Sequence, residues 1–456
     1  MLHFLKAVRA IPAYLLILLP SLPVHGVDDA GHGGVMTLSL EEARAYALEH
    51  STSMQRARAD LDIAGKQVWE TTAAGLPQIS ASLGYNYFID IPTSLIPAEF
   101  FGGEPGEFEE IRFGTQHNLT ASASIEQLLF DGQYIVGLRA SRIFRELAAQ
   151  NLHRSAREVR NTVTETYILV LLARDNLSVV SGNLENMRRM LHESRQLLEE
   201  GFTDPINVDQ LQLNVANIEN QLAALQRQKD VTTGLLKFQI GLELSQEVHL
   251  SDSLESLHGQ LITNTMPGDS LLVEQHVDYQ IAQSQEQMRF MALRREQSAY
   301  LPTLSASFVR QEMAMRDSFN FFDDSMAWFP NTYFAVNLNI PIFSSGMRSS
   351  QVQQARLELE KARLDRLEVN QALLLQLEEA SSAFQTASDR YLNERENLEL
   401  ARRILQRTTI MYQEGMTGSM ELTQANDQLL TTQANYYQAL FDMLSAQNNM
   451  DKALGR

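Results

Sequence analysis

The chain carries one arrangement of residues twice, and this duplication limits what it can fold into. A glycine turn lies near the middle of each half, as Glu200-Gly201-Phe202-Thr203 and again as Glu414-Gly415-Met416-Thr417. The two turns are 214 positions apart (414 − 200), and the pair Leu76-Pro77 returns as Leu301-Pro302. A repeat of this length predicts two structural copies of one unit, joined in tandem.

Each copy contains a long stretch without proline. After Gly132 and after Gly346, 68 residues follow before the glycine turn, at Glu200 and Glu414 respectively. An α-helix of this length measures roughly 100 Å, at about 1.5 Å per residue. Apolar residues recur at spacings of three and four, which is typical of coiled coils and bundles. A shorter helical stretch follows each turn and should run back antiparallel, in ranges 206–238 and 420–453.

Helix-forming residues also open the first copy. Ser39 precedes Glu42 by three positions, which is the spacing of a capping box. We therefore expect a helix from Leu40 to Ala74, ended by Pro77.

Apolar and polar residues alternate in the stretches before each long helix. The runs are 79–87 and 118–126 in the first copy, and 304–308 and 334–340 in the second. Period two over about 9–11 residues is what a membrane-barrel strand requires. The same alternation describes a soluble sheet with one wet face, and the pattern alone favours neither. The polar positions hold small residues, which suit a water-filled lumen.

The first residues have the order of a secretory signal peptide. Lys6 and Arg9 precede an apolar run, and the small residue Gly26 follows it, so we expect removal of residues 1–26. The run is interrupted by three prolines, and no later stretch offers the roughly 20 consecutive apolar residues of a membrane helix. Any crossing of a membrane must therefore be made by strands.

Composition and motifs exclude several classes of function. The net charge of −19 would become −21 without Lys6 and Arg9, and such an acidic chain is a poor partner for nucleic acid. Cysteine is absent, which excludes disulfides, thiolate metal sites and cysteine nucleophiles. The sequence has no phosphate-binding loop and no hydrolase or metalloprotease motif. We therefore expect no enzyme, no catalytic residue, no metal site and no cofactor.

In this order and spacing, the sequence resembles the TolC-like outer-membrane efflux proteins over essentially the whole mature chain. Besides the two glycine turns and the two Leu-Pro pairs, the matching motifs are Leu38-Ser39-Leu40-Glu41-Glu42-Ala43 and Ile340-Pro341-Ile342-Phe343-Ser344-Ser345-Gly346. The resemblance implies an α+β membrane protein, in which each protomer contributes four strands to a trimeric, twelve-stranded β-barrel. A long α-helical coiled-coil tunnel continues the barrel. Four strands cannot close a barrel alone, so several chains must share one.

The resemblance also implies a domain division and a set of partners. The expected parts are the signal peptide 1–26, a first repeat 27–241, an equatorial linker 242–275 and a second repeat 276–456. The protein would lie as a homotrimer in outer-membrane lipid of a Gram-negative bacterium and extend into the periplasm. A periplasmic adaptor and an inner-membrane pump would deliver the substrates, and the duct itself would be passive.

Two other functions stay open at this point. One is the outer-membrane component of type I protein secretion, because a single duct architecture serves both tasks. The other, from a different class, is a non-conducting periplasmic coiled-coil scaffold, which helix patterning alone would also describe.

The resemblance assigns roles to residues at and after the glycine turns. Contact with the adaptor carries over to six of them: Gly201, Phe202, Thr203, Gly415, Met416 and Thr417. Family members often carry carboxylates six and nine residues after the second glycine, as a pore constriction; these positions are Glu421 and Gln424 here. Three copies of Glu421 would repel one another and attract cations. An alternative is that the glycines only end helices, and that Glu421 is a helix-start residue favoured by the dipole.

Overall fold

The computed structural model describes residues 35–257, 273–323 and 325–455. The expected signal peptide, 1–26, lies outside the described residues, as does part of the expected linker. Contacts divide the chain into two units. The strand unit contains Val68–Arg139 and Arg294–Val352, and the helical unit contains most of the remainder. Each unit therefore takes segments from both copies of the repeat.

The helices and strands follow the order expected of a duplicated chain. They are β1 (Met36–Leu38), α1 (Leu40–His50), α2 (Thr52–Ala73), β2 (Gln78–Tyr87), β3 (Thr93–Pro97), β4 (Phe108–Arg112), β5 (His117–Phe130), α3 (Gly132–Glu199), α4 (Pro205–Ile240), β6 (Val248–Leu250), α5 (Val277–Ser298), β7 (Thr303–Arg316), β8 (Phe329–Asn339), α6 (Met347–Gln413) and α7 (Ser419–Ala453). The two proline-free stretches form α3 and α6, of 68 and 67 residues, which confirms both long helices. The shorter helices after the glycine turns are confirmed as α4 and α7.

The prediction of one helix from Leu40 to Ala74 is wrong, because the chain breaks at Ser51. The backbone of Ser51 is extended, with φ −61° and ψ 142°, and its side chain accepts the N–H of Met54. The predicted capping box is present, with the N–H of Ser39 donating to Glu42 at 2.8 Å. Hydrogen bonds from the backbone and side chain of Ser39 lower the pKa of Glu42.

The main sheet of the strand unit is antiparallel, in the order β2-β5-β7-β8. Strands β5 and β7 therefore join the two copies. The register pairs Ile79 with Ile125 on one face and Ser80 with Ser124 on the other, where the two hydroxyl oxygens lie 2.8 Å apart. The predicted alternation is confirmed in both copies, and the apolar face of β2 and β8 is exposed.

Strand β7 departs from the predicted pattern beyond Phe308. The predicted alternating run 304–308 continues as a strand to Arg316, and Arg310 and Glu312 occupy positions on the otherwise apolar face. Their side chains form an ion pair at 2.9 Å. The segment after β7 folds over the same face and buries Phe321, which is 5% exposed. The segment between β2 and β5 contains the short hairpin β3–β4.

Apolar side chains fill two clusters in the helical unit. The first surrounds Tyr167, Leu236 and Leu440. The second lies towards the glycine turns and includes Leu211 and Leu422, both fully buried. None of the helices in the described residues combines the length and apolar content needed to cross a bilayer.

Candidate functional site at the helix turns

The turns between α3 and α4 and between α6 and α7 share one backbone geometry. Gly201 and Gly415 have φ values of 79° and 71°, which L residues with a side chain rarely adopt. The N–H of Phe202 donates to the carbonyl of Leu197 at 2.8 Å, and the second turn repeats this bond at the same distance. Each glycine N–H also donates to the carbonyl three residues before it, at 3.1 Å in the first turn and 3.0 Å in the second, and the two bonds together form a Schellman motif.

The six residues assigned to the tips all lie at these turns. Phe202 is 77% exposed and Met416 is 66% exposed, although both are apolar. Thr203 and Thr417 are half-buried, and both glycines are exposed. Each turn therefore presents one large apolar side chain on an open backbone, which suits contact with another protein.

Polar side chains join the two turns, and we call Thr203, Asn207, Gln210 and Ser419 the tip cluster. Ser419, the first residue of α7, is fully buried. Its Oγ lies 2.6 Å from Oδ1 of Asn207 and 2.6 Å from Oε1 of Gln210, and its single proton donates to one of them at a time. The Nδ2 of Asn207 donates to Oγ1 of Thr203 at 3.1 Å. The cluster ties the start of α4 to the start of α7.

The predicted constriction residues lie on the outer side of α7. Glu421 and Gln424 are one turn apart and exposed, while the neighbouring Leu422 and Ala425 are buried. Further exposed polar residues follow at the same alternating spacing of three and four: Gln428, Thr431, Asn435 and Gln438. We call this set, from Glu421 to Gln438, the polar stripe.

The charges of α7 are almost all negative. Its sequence has no lysine or arginine before Lys452, and it carries Glu421, Asp427, Asp442 and Asp451 in the same span. Although the side chain of Asp427 reaches solvent, partial burial raises its pKa above the ordinary value of 3.8. A helix face of this kind favours cations and water over anions.

Sequence reasoning missed the tip cluster because its members lie more than 200 positions apart. A signal was nevertheless available. At the repeat offset of 214, Asn207 corresponds to Glu421 and Gln210 to Gln424. Asn207 and Gln210 are turned towards the other hairpin, whereas Glu421 and Gln424 are exposed to solvent.

The chain matches the family described as outer membrane efflux protein over residues 44–242 and 270–456. Comparison with curated proteins finds no match.

Solved structures share the fold. CusC has a TM-score of 0.72 at 15% identity, over 91% of this chain and 92% of CusC. The outer membrane protein VceC of Vibrio cholerae has a TM-score of 0.67 at 16% identity, over 91% and 96%. The open state of the MtrE outer membrane channel of Neisseria gonorrhoeae has a TM-score of 0.68 at 15% identity, over 91% and 88%.

These findings confirm the predicted fold class, an α+β membrane protein with strands for a trimeric β-barrel and helices for a tunnel. The solved relatives are channels of the TolC-like type. The protein lies in the outer membrane of a Gram-negative bacterium and extends into the periplasm. The chain therefore belongs to the outer membrane efflux protein family.

Proposed function

We propose that this chain is the passive outer-membrane duct of a tripartite efflux system. A periplasmic adaptor would connect it to an inner-membrane pump, which delivers the substrates and supplies the energy. The observation that carries the proposal is the sheet of the strand unit, which has two free edges and, on β2 and β5, one face lined mainly by small polar residues. The proposed role requires no catalytic residue and no cofactor.

The free edges call for further copies of the chain. Among the described strands, β2 and β8 each pair on one side only. An unpaired edge in lipid leaves backbone N–H and C=O groups without partners, at a cost of several kcal/mol each. Pairing β8 of one copy with β2 of the next satisfies both edges, and three copies of four strands make a closed barrel of twelve. The repeats 27–241 and 276–456 would each supply two strands per copy.

The two faces of the sheet fit lipid on one side and water on the other. Ile79 and Leu83 of β2 are 59% and 68% exposed, and Phe334 and Leu338 of β8 are 67% and 59% exposed on the same face. The opposite face carries the hydrogen-bonded pair of Ser82 and Ser122. Apolar side chains outside and small polar ones inside are the arrangement of water-filled membrane barrels.

The helical unit also offers a surface for a second copy. Four leucines on α6 are more than half exposed, although leucine favours burial: Leu357, Leu364, Leu367 and Leu374. Their spacings of seven and three place them along one helix face. In the proposed homotrimer these side chains pack against a neighbouring protomer, while the polar stripe of α7 faces the water-filled passage.

The exposed turns are the proposed contacts for the adaptor. Residues Gly201, Phe202 and Thr203 of one turn, and Gly415, Met416 and Thr417 of the other, would dock on it. Phe202 and Met416 supply the apolar contacts. Because the chain has no cysteine, a single Phe202→Cys substitution allows specific cross-linking. We expect cross-links to an adaptor in intact cells, and none from a matched Leu95→Cys variant in the β3–β4 hairpin.

Glu421 and Gln424 are the proposed constriction. Three carboxylates of Glu421 around one axis attract cations and repel anions. The amide at Gln424 halves the number of charges relative to a site with two carboxylates. The constriction is therefore expected to be cation-selective, with a modest preference.

Single-channel conductance of the purified protein in planar bilayers tests the duct directly. We expect discrete, cation-selective openings in the parent, weaker selectivity in Glu421→Gln, and unchanged selectivity in Asp209→Asn. The control removes one carboxylate from an exposed position in the corresponding turn of α4. Equal effects of the two substitutions on ion selectivity would contradict a constriction at Glu421.

Bilayer insertion and the kind of molecule exported separate the duct from the two alternative functions. Folded oligomers that fail to insert into bilayers would contradict the duct and support a non-conducting periplasmic scaffold. Conductance with export of a polypeptide, rather than of small molecules, in cells that carry the chain would support type I secretion.

A further inference from the structure

A cavity of about 360 Å³ lies within the helical unit, away from the tip cluster and the polar stripe. It is bounded by the middle of α3, the start of α5 and the end of α7. The side chains that matter here are Arg154, Arg157, Asn161, His276, Asp278 and Lys452.

Two buried donors at this cavity have no acceptor among the residues that the structure describes. The atoms are Nη1 of Arg157 and Nδ2 of Asn161, and neither makes a hydrogen bond to any residue of the described ranges 35–257, 273–323 and 325–455. They are four positions apart on α3 and therefore lie on the same face of the helix. A buried guanidinium N–H without an acceptor is strongly unfavourable, so an acceptor in the cavity would stabilise the protein.

His276 borders the same space. Its side chain is 6% exposed, and its Nδ1 accepts the backbone N–H of Asp278 at 3.2 Å. That bond places the proton of the neutral ring on Nε2, which makes this nitrogen a further donor. A Cβ built on Gly455 would lie 2.9 Å from the His276 ring and 3.3 Å from Nη1 of Arg157. The imidazole of His276 and the guanidinium of Arg157 therefore both lie close to Gly455.

The charges around the cavity are more positive than the chain as a whole. Arg154, Arg157 and Lys452 face two acids, Glu158 and Asp278. Three cations and two carboxylates leave one positive charge, in a chain whose formal net charge is −19. The acid nearest to a cation, Asp278, is 3.8 Å from Arg154 and does not reach the buried nitrogen of Arg157.

We propose that this cavity binds a small oxyanion of the phosphate or carboxylate class. Arg157 and Asn161 donate the central hydrogen bonds, and Lys452 and Arg154 supply charge at the rim. Guanidinium is well suited to such an ion because its N–H groups match the geometry of oxyanion oxygens. The bound ion would connect α3, α5 and α7 at one place. This proposal is independent of conduction and concerns the stability of the helical unit.

Thermal unfolding of the detergent-purified full chain, with inorganic phosphate as the probe and sodium chloride to hold ionic strength constant, tests the site. A ligand that binds only the folded state raises Tm as its concentration increases. We expect this rise in the parent and its loss in Arg157→Gln. Arg160→Gln is the matched control, because Arg160 is exposed on the same helix and lies outside the cavity. Replacing phosphate by acetate distinguishes the two classes of oxyanion.

A Tm that does not depend on phosphate or acetate in the parent would overturn the proposal, and would mean that the donors are satisfied from within the chain. An equal rise in Arg157→Gln would overturn it as well. If Arg157→Gln fails to fold, Lys452→Gln at the exposed rim is the second variant, and a weakened dependence on the anion is expected there. Conductance of Arg157→Gln should match the parent, so failure of this proposal leaves the duct proposal untouched.

Discussion

The two helix turns share one backbone geometry, but the polar residues that follow them face different surroundings. Both turns carry a left-handed glycine and the same pair of hydrogen bonds. After the first turn, Asn207 and Gln210 point to the other hairpin and bind Ser419. After the second, the corresponding Glu421 and Gln424 are exposed. The duplicated backbone thus allows one copy to hold the tips together while the other presents charge to solvent.

The largest expected contrast between the copies lies in the apolar contacts under the turns. Leu422 is fully buried, and its counterpart Val208 is 7% exposed. We expect Leu422→Ala to lower the free energy of unfolding by about 2–5 kcal/mol. Val208→Ala removes less and should cost roughly 1–2 kcal/mol. Chemical denaturation of the full chain measures both, and equal losses would mean that the two copies contribute alike to this cluster.

The tip cluster gives the next largest effect. Ser419→Ala removes the hydroxyl that contacts Asn207 and Gln210, so a buried polar group loses its partner at a cost of about 1–3 kcal/mol. We expect faster hydrogen exchange in the first turns of α4 and α7. Thr431→Ala, an exposed position on the polar stripe, is the control and should leave exchange at the turns unchanged. Unchanged exchange in Ser419→Ala would contradict the role of the cluster in joining the tips.

The smallest effect concerns Asp427 of α7, an acid without a counterpart in α4. At the repeat offset, Asp427 corresponds to Leu213, which is exposed. Partial burial raises the pKa of Asp427 above 3.8, so the folded state holds this proton more tightly than the unfolded state. The destabilisation is therefore absent well below pH 3.8 and fully present above the raised pKa.

Asp427→Asn should accordingly raise Tm slightly at pH 7 and leave it unchanged near pH 3. Thermal unfolding of parent and variant at both values measures the difference. A benefit that is the same at the two pH values would show that the amide acts through hydrogen bonding rather than through charge.

Much of the fold could be predicted from local pattern, because long helices and membrane strands are specified by neighbouring residues. The absence of proline predicted the extent of α3 and α6, and the alternation of apolar and polar residues predicted the two faces of the sheet. The break at Ser51 was missed because serine within a run of helix formers carries no strong stop signal. The charged half of β7 was missed because Arg310 and Glu312 end the alternation without ending the strand.

The site could be predicted only in part. Its turns follow from glycine, which is needed wherever φ is positive. The tip cluster and the cavity beside Arg157 depend on the approach of distant segments, as with Asn207 and Ser419 or Gly455 and His276. No local pattern encodes those distances. The roles of the tips and of Glu421 therefore stay predictions for the experiments above.

The free edges of the sheet have a genetic consequence. If each barrel is assembled from three copies, a variant that pairs normally but blocks the passage would act on its neighbours as well. In a cell that makes parent and variant in equal amounts, only about one barrel in eight would contain parent chains alone under random closed assembly. Blocking substitutions should therefore be dominant, whereas substitutions that prevent edge pairing should be recessive, since the defective copy never joins a barrel.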